Sequence, residues 1–327
     1  MRVLFIREGG LGDVVVCFPS LSFLAEQADR LTVCMPGSLG GLCVRVGLAH
    51  AALRSDGTAC LDLFADSPDP SRLSSFLAAF DTVAAVSRED EPISRNLASC
   101  GSVRYVRLNQ PSENINLHAS DQLLRQIHQA FPSATVHDGT QPVRHPRSAT
   151  FSKGASDESA HAQPYVLIHP GSGSAGKNWP AESFLAVFLR LSRAHPVRIL
   201  LGPAETETLS FWQHAAGMDC IVQCADIFSL PAILSASYLF IGNDSGVSHL
   251  AAYLGIPTVA IFGPTDPRVW APRGPSVRIA YQAQGCSPCS REQRAFCSAR
   301  TCLLSITPEY VILLAREVLD GKTGHIP

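Results

Sequence analysis

A chain of 327 residues, 46% hydrophobic and 17% charged, has the composition of a well-cored protein and the length of two domains of about 150 residues each. A net charge of -2, with Lys and Arg scattered rather than striped, excludes an electrostatic case for nucleic acid as a partner. No apolar run approaches the roughly 18 residues a membrane span needs, and the N-terminus does not read as a signal peptide; the expected compartment is the cytoplasm, with the eleven cysteines mostly reduced.

The first predicted element is a buried strand over residues 3–6, followed by the turn Glu8-Gly9-Gly10-Leu11-Gly12 and a helix that begins near Asp13 and runs through Val16, Leu21 and Leu24. Further strands are predicted over 31–35, 82–86 and 103–106. A composition shift between about 138 and 164, rich in Pro, Ser, Gly and Ala, predicts a linker or mobile loop, placed at 146–163 between domains at 1–145 and 164–307. The alternation then restarts: strands at 165–169, 197–201, 239–241 and 258–262, each running into a glycine turn, and a helix over 181–194. Residues 308–319 predict a terminal helix capped by Thr307 with Pro308 in its first turn, inside a closing segment 308–327. The pattern is α/β: two Rossmann-like halves with parallel sheets.

Four glycine-bearing turns sit at strand ends, where an open parallel sheet binds ligands. In Gly10-Leu11-Gly12-Asp13, glycine lets backbone approach a ligand, and Asp13 is either a helix cap or a general base at the mouth of a cleft. The glycine spacing is not that of a dinucleotide fingerprint, and no acidic ribose binder is evident after the second strand, which argues against a dehydrogenase. The segment from His169 to Pro180 offers small residues that expose backbone donors, with Lys177 as a charge suited to a diphosphate; the plain alternative is an ordinary loop with a solvated lysine. In the run from Gly242 to His249, Asp244 and Ser245 fall where an N-cap belongs, and the helix start would aim N–H groups at an anion; the alternative is a capped core helix with a partly buried histidine. Thr265, in Gly263-Pro264-Thr265-Asp266, either reaches phosphate or sugar or belongs to a plain proline-rich turn. Lastly, Cys286 and Cys289 form a CxxC half-site, and Cys297 and Cys302 follow within the cysteine-rich segment 285–303. They read as a structural zinc or iron site or as free core cysteines.

Taken as a set, Gly10-Leu11-Gly12-Asp13, His169-Pro170-Gly171-Ser172 with Lys177-Asn178-Trp179-Pro180, the run from Asn243 to His249, and Phe262-Gly263-Pro264-Thr265 resemble glycosyltransferase family 9, the ADP-heptose:lipopolysaccharide heptosyltransferases. The resemblance runs over nearly the whole chain; between about 40 and 160 only the alternation can be followed. It implies a GT-B fold, two Rossmann-like domains facing a central cleft. It implies that Asp13 is the catalytic base and Gly12 lies beside the donor, with Ser172, Gly173 and Lys177 along the donor phosphates. By the same resemblance, Asp244, Ser245, Gly246 and His249 match a second donor-binding segment, with Thr265 nearby, and Glu207 matches a glutamate that holds the nucleoside, with Glu205 a close competitor. A nucleotide diphosphate leaves without a general acid, so one carboxylate and a cationic, N–H-rich diphosphate site suffice. The resemblance further implies inverting transfer without a divalent metal, ADP-heptose as donor, and a lipid-linked lipopolysaccharide core as acceptor. Contact with the cytoplasmic face of the inner membrane would follow from that acceptor. Relatives that modify proteins carry a cysteine-held iron, which leaves a protein acceptor as an alternative. A non-catalytic nucleotide-sugar-binding paralogue and another GT-B branch, such as a sugar epimerase, are the remaining alternatives.

Overall fold

The computed structural model describes residues 1–114, 116–132 and 163–320. The chain divides into two compact units, Met1–Arg144 and His145–Pro327. Residues 146–162 of the expected linker lie outside the described residues.

In the first unit, β1 (Arg2–Arg7), β2 (Arg30–Met35), β3 (Ala51–Arg54), β4 (Thr82–Val86) and β5 (Arg104–Leu108) form a parallel sheet in the order β3-β2-β1-β4-β5. Strands β1, β2 and β4 are apolar almost throughout because helices cover both faces. Leu4, Ile6, Val83 and Leu97 meet in the core, with the free thiols of Cys34 and Cys60 among them. The chain steps outward from β1 to β3, then returns to the other side of β1 at β4. The crevice at the carboxyl ends of β1 and β4 is therefore the switch point where such sheets take ligands. The single helix predicted from Asp13 is two helices, Leu11–Val16 and Phe18–Gln27, broken at Cys17. Pro19 has no N–H to continue the first helix and suits the opening turn of the second.

The second unit repeats the plan with β6 (Tyr165–His169), β7 (Val197–Leu201), β8 (Ile221–Gln223), β9 (Ser237–Asn243), β10 (Thr258–Phe262) and β11 (Val277–Tyr281), parallel in the order β11-β10-β9-β6-β7-β8. Here the switch point lies between β6 and β9. Its core gathers Ile168, Ile241 and Ile261 with Trp179, Phe184, Leu303 and Val311; each such side chain contributes roughly 1.5–3 kcal/mol on burial. The terminal helix Pro308–Leu319 starts as expected, with Thr307 accepting the Tyr310 N–H at 3.3 Å. No helix among the described residues is long and apolar enough to cross a membrane.

Candidate functional site

Strand register brings the second unit's turns together. His169 lies opposite Gly242, and Ile261 opposite Asn243, so the turns after β6, β9 and β10 leave the sheet side by side. Their polar residues meet. Lys177 Nζ lies 2.7 Å from Asp244 Oδ2, and the Thr265 hydroxyl donates to the same oxygen. Asp244 is buried, while the Lys177 side chain keeps 28% of its exposure, so the ammonium stands at the rim above a carboxylate it neutralises. Lys177, Asp244 and Thr265 are thus one cluster, although 67 and 21 residues separate consecutive members (244 − 177 and 265 − 244).

Asn243 holds the cluster in place. Fully buried at the end of β9, it donates from Nδ2 to the carbonyls of Pro170 (2.7 Å) and Gly171 (3.3 Å), and its Oδ1 accepts the Trp179 N–H at 2.9 Å. Both ends of the Lys177 turn are thereby stapled to the start of the Asp244 turn. No role for Asn243 follows from the family resemblance. Its signal was an amide ending an otherwise apolar strand, since a buried amide must satisfy its polar atoms.

The remaining expected donor residues take several positions. Ser172 closes its own loop, its single hydroxyl proton shared between Asn178 Oδ1 at 2.6 Å and the Ser174 carbonyl at 2.7 Å, and Gly173 is exposed with open space at its Cα. Ser245 alone is the N-cap of helix Gly246–Tyr253, accepting the Ser248 N–H at 3.4 Å, so Asp244 is spared that task for Lys177. Gly246 opens that helix, where N–H groups lack intrahelical partners and the dipole favours an anion. His249 is buried within the same first turns. Glu207 stands exposed on the turn Pro203–Thr208. Glu205 is instead buried, its Oε2 accepting the Gly202 N–H at 2.8 Å and lying 3.8 Å from His169 Nε2. Burial opposes ionisation of Glu205, but His169 and the Gly202 N–H outweigh it and hold the carboxyl below the usual range.

Asp13 and Gly12 belong to the first unit, just past the end of β1. The cap of helix Leu11–Val16 is Gly10, not Asp13. Asp13 sits three residues further on and reaches back, Oδ2 accepting the Gly10 N–H at 3.0 Å, while Oδ1 takes the Arg7 guanidinium at 2.6 Å. The carboxylate is 41% exposed despite both bonds. Gly12 is half-buried in the same turn.

The cysteine segment packs against the Thr265 turn. The Cys289 N–H donates to the Pro264 carbonyl at 2.8 Å, and the Ser287 hydroxyl to that of Gly263 at 2.7 Å. Cys289 and Cys302 are buried, Cys286 and Cys297 exposed. Burial raises the Cys289 thiol, and the neighbouring Cys286, Cys302 and Cys297 raise it further. Yet among the described residues no three His, Cys, Asp or Glu side chains converge on one point, and Cys289 Sγ turns to the Cys286 carbonyl at 3.0 Å. The donor chemistry suits a thiophilic metal, but the four sulfurs are not gathered into a shell.

The model of glycosyltransferase family 9 (heptosyltransferase) matches residues 103–299, more than half of the chain. The chain belongs to this family. The matched stretch holds Lys177, Asp244, Thr265 and their neighbours but stops short of Asp13 at one end and Cys302 at the other. Lipooligosaccharide heptosyltransferase 2 of Campylobacter jejuni subsp. jejuni serotype O:2 is 32% identical over 168 residues, 49% of this chain and 51% of that protein. The chain thus spans about half the length of the curated relatives it matches. Among solved structures, E. coli ADP-heptose lps heptosyltransferase II superposes with a TM-score of 0.72 at 16% identity, covering 98% of both chains. The dodecameric iron-containing heptosyltransferase TibC of enterotoxigenic E. coli, in complex with ADP-D-beta-D-heptose, superposes with a TM-score of 0.57 at 15% identity, covering 98% of this chain and 76% of that one. The fold is therefore the GT-B fold, built of two parallel-sheet α/β units.

Proposed function

We propose that this chain is an inverting glycosyltransferase that moves a heptose from ADP-heptose to the inner core of lipopolysaccharide. The observation that carries the reading is the cluster of Lys177, Asp244 and Thr265 beside the helix start at Gly246, within the stretch that the family model covers. A diphosphate bound there meets a rim ammonium and free helix N–H groups, which stabilise the charge that develops as it leaves. Asp13 takes the proton of the acceptor hydroxyl; that oxygen bonds to the anomeric carbon from the face opposite the diphosphate. The carbon–oxygen bond to the diphosphate breaks, and ADP departs with the electron pair. The acceptor is lipid-linked, so the reaction runs at the cytoplasmic face of the inner membrane.

A protein acceptor is the second reading, and the cysteine segment is what favours it. Cys286, Cys289, Cys297 and Cys302 would have to close into a shell to hold a structural zinc or iron ion, which would then brace the Gly263–Thr265 turn and take no part in transfer. Mass analysis of the product formed from ADP-heptose and a lipid A-core acceptor tests the first reading. A gain of one heptose on the lipid is the expected result. Transfer to protein alone would favour the second reading. Donor binding with no product on either acceptor would mark a non-catalytic paralogue, and an epimerised nucleotide sugar would mark another GT-B branch. Elemental analysis of the purified protein decides the metal.

A further inference from the structure

We infer that Arg7 is the positioning residue for Asp13, with Gly9 supplying the space into which the carboxylate is drawn. The inference rests on the proposed role of Asp13 as base. Arg7 ends β1, the central strand of its sheet, at the switch point with β4, and lies opposite Val86. Its side chain is 6% exposed, and its Nη2 bonds Asp13 Oδ1 at 2.6 Å. Its Nε is buried with no hydrogen-bond partner among the described residues. A buried guanidinium that gives up its carboxylate is left as an uncompensated charge, so the pairing is persistent rather than one of several surface options.

The second anchor acts on the other oxygen, where the Gly10 N–H donates to Oδ2 at 3.0 Å. Gly9 makes the approach feasible. Its φ is +126°, a conformation L side chains rarely adopt, and a Cβ there would meet Asp13 Oδ2 at 2.5 Å and Cγ at 2.8 Å. One oxygen is thus held by a buried cation and the other by a backbone amide, over a residue that can carry no side chain. The carboxylate keeps one orientation while 41% of the side chain stays open to solvent. That is the condition a general base requires: fixed direction without occlusion. A helix cap alone would need the Gly10 bond but not the buried arginine.

The test compares Arg7→Met, Arg7→Lys and Gly9→Ala with wild type and with Asp13→Asn. ADP-heptose and a lipid A-core acceptor give kcat and KM, calorimetry gives the ADP dissociation constant, and thermal unfolding confirms the folded state. Arg7→Met releases the carboxylate, and Gly9→Ala pushes it aside. Both are expected to lower kcat by roughly a hundredfold, the loss typical of a catalytic group displaced by about 1 Å. The donor KM and the ADP dissociation constant should stay at wild-type values. Arg7→Lys keeps a cation at the strand end and is expected to recover most of the turnover. If Asp13→Asn is inactive while a folded Arg7→Met turns over at the wild-type rate, the positioning role is wrong although the base stands. Arg7→Met lowering kcat and Arg7→Lys failing to restore any of it also overturns the inference. Wild-type turnover in Asp13→Asn overturns the base reading itself.

Discussion

The side chain of Asn243 holds both ends of the Lys177 turn, accepting the Trp179 N–H at 2.9 Å and donating to the Pro170 carbonyl at 2.7 Å. Asn243→Ala removes the partner of the Trp179 N–H and of the Pro170 carbonyl in a fully buried place, along with the longer bond to the Gly171 carbonyl. The expected loss of stability is about 2–6 kcal/mol, since each buried unsatisfied group costs about 1–3 kcal/mol. Chemical denaturation checks it. ADP affinity should fall as well, because the turn carrying Lys177 is no longer tied to the one carrying Asp244. Asn243→Asp is expected to be no better, as a carboxylate cannot donate to the Pro170 carbonyl.

Lys177 and Asp244 separate stability from turnover. Lys177→Met leaves Asp244 buried beside Thr265 without its counter-charge. Breaking a fully buried pair costs about 3–5 kcal/mol. With the lysine 28% exposed, solvent screening reduces that to about 1–3 kcal/mol. Asp244→Asn in the same chain removes the orphaned charge, so the double variant should regain most of the stability seen in thermal melts. It should not regain activity. kcat/KM is expected to stay roughly 100- to 1000-fold down, the loss typical of a missing donor to a developing anion. If the double variant recovers turnover together with stability, Lys177 acts only as structural support.

The pH dependence of stability follows from Glu205. Its carboxyl lies below the ordinary value of 4.5 in the fold, although burial alone would raise it. The unfolded chain binds the proton more readily, so Glu205 contributes stability that is fully present above about 4.5. That stability is lost as pH falls through the lower folded value. Melting temperature should therefore decline on the acid side of 4.5, and Glu205→Gln should flatten part of that decline. An acid-side decline in Glu205→Gln as steep as that of wild type would contradict the assignment.

The sequence made the sheet centres legible and left most edges dark. Residues 3–6, 33–35, 83–86 and 166–168 are continuous apolar runs because both faces of those strands are covered. The strands that went unread, β3, β8 and β11, are all sheet edges. β3 alternates between half-buried and exposed, and β8 is three residues long with none fully buried, so neither offers an apolar run to find. Lys177, Asp244 and Thr265 were visible as separate turns, since glycine and proline punctuate strand ends. Their meeting at one oxygen depends on parallel register, which local pattern does not encode. The choice between Glu205 and Glu207 also escaped local reading. Only the fold buries the former against Gly202 and His169. Arg7 had a faint signal, a charge ending an apolar strand, but its partner is fixed by the helix start that follows.

Gly263 tests whether the cysteine segment supports the proposed donor cluster. A Cβ there would meet Leu303 Cγ at 2.5 Å and Cys302 Sγ at 3.3 Å. Leu303 is buried in the core of the second unit and cannot swing to solvent. Gly263→Ala must therefore shift either the short helix Thr301–Leu304 or the turn itself, and overpacking of this kind costs about 1–3 kcal/mol. Thr265 lies two residues on and bonds Asp244, so a shifted turn loosens the cluster proposed to hold the diphosphate. The expected result is a larger ADP dissociation constant with the binding stoichiometry unchanged. Leu303→Ala in the same chain opens room for the added methyl and should restore ADP affinity toward wild type, although Leu303→Ala alone costs stability by leaving a cavity. Calorimetry on the single and double variants separates the outcomes. Affinity that stays low in the double variant would mean that Gly263 serves the site by its backbone and not by the room it leaves for Leu303.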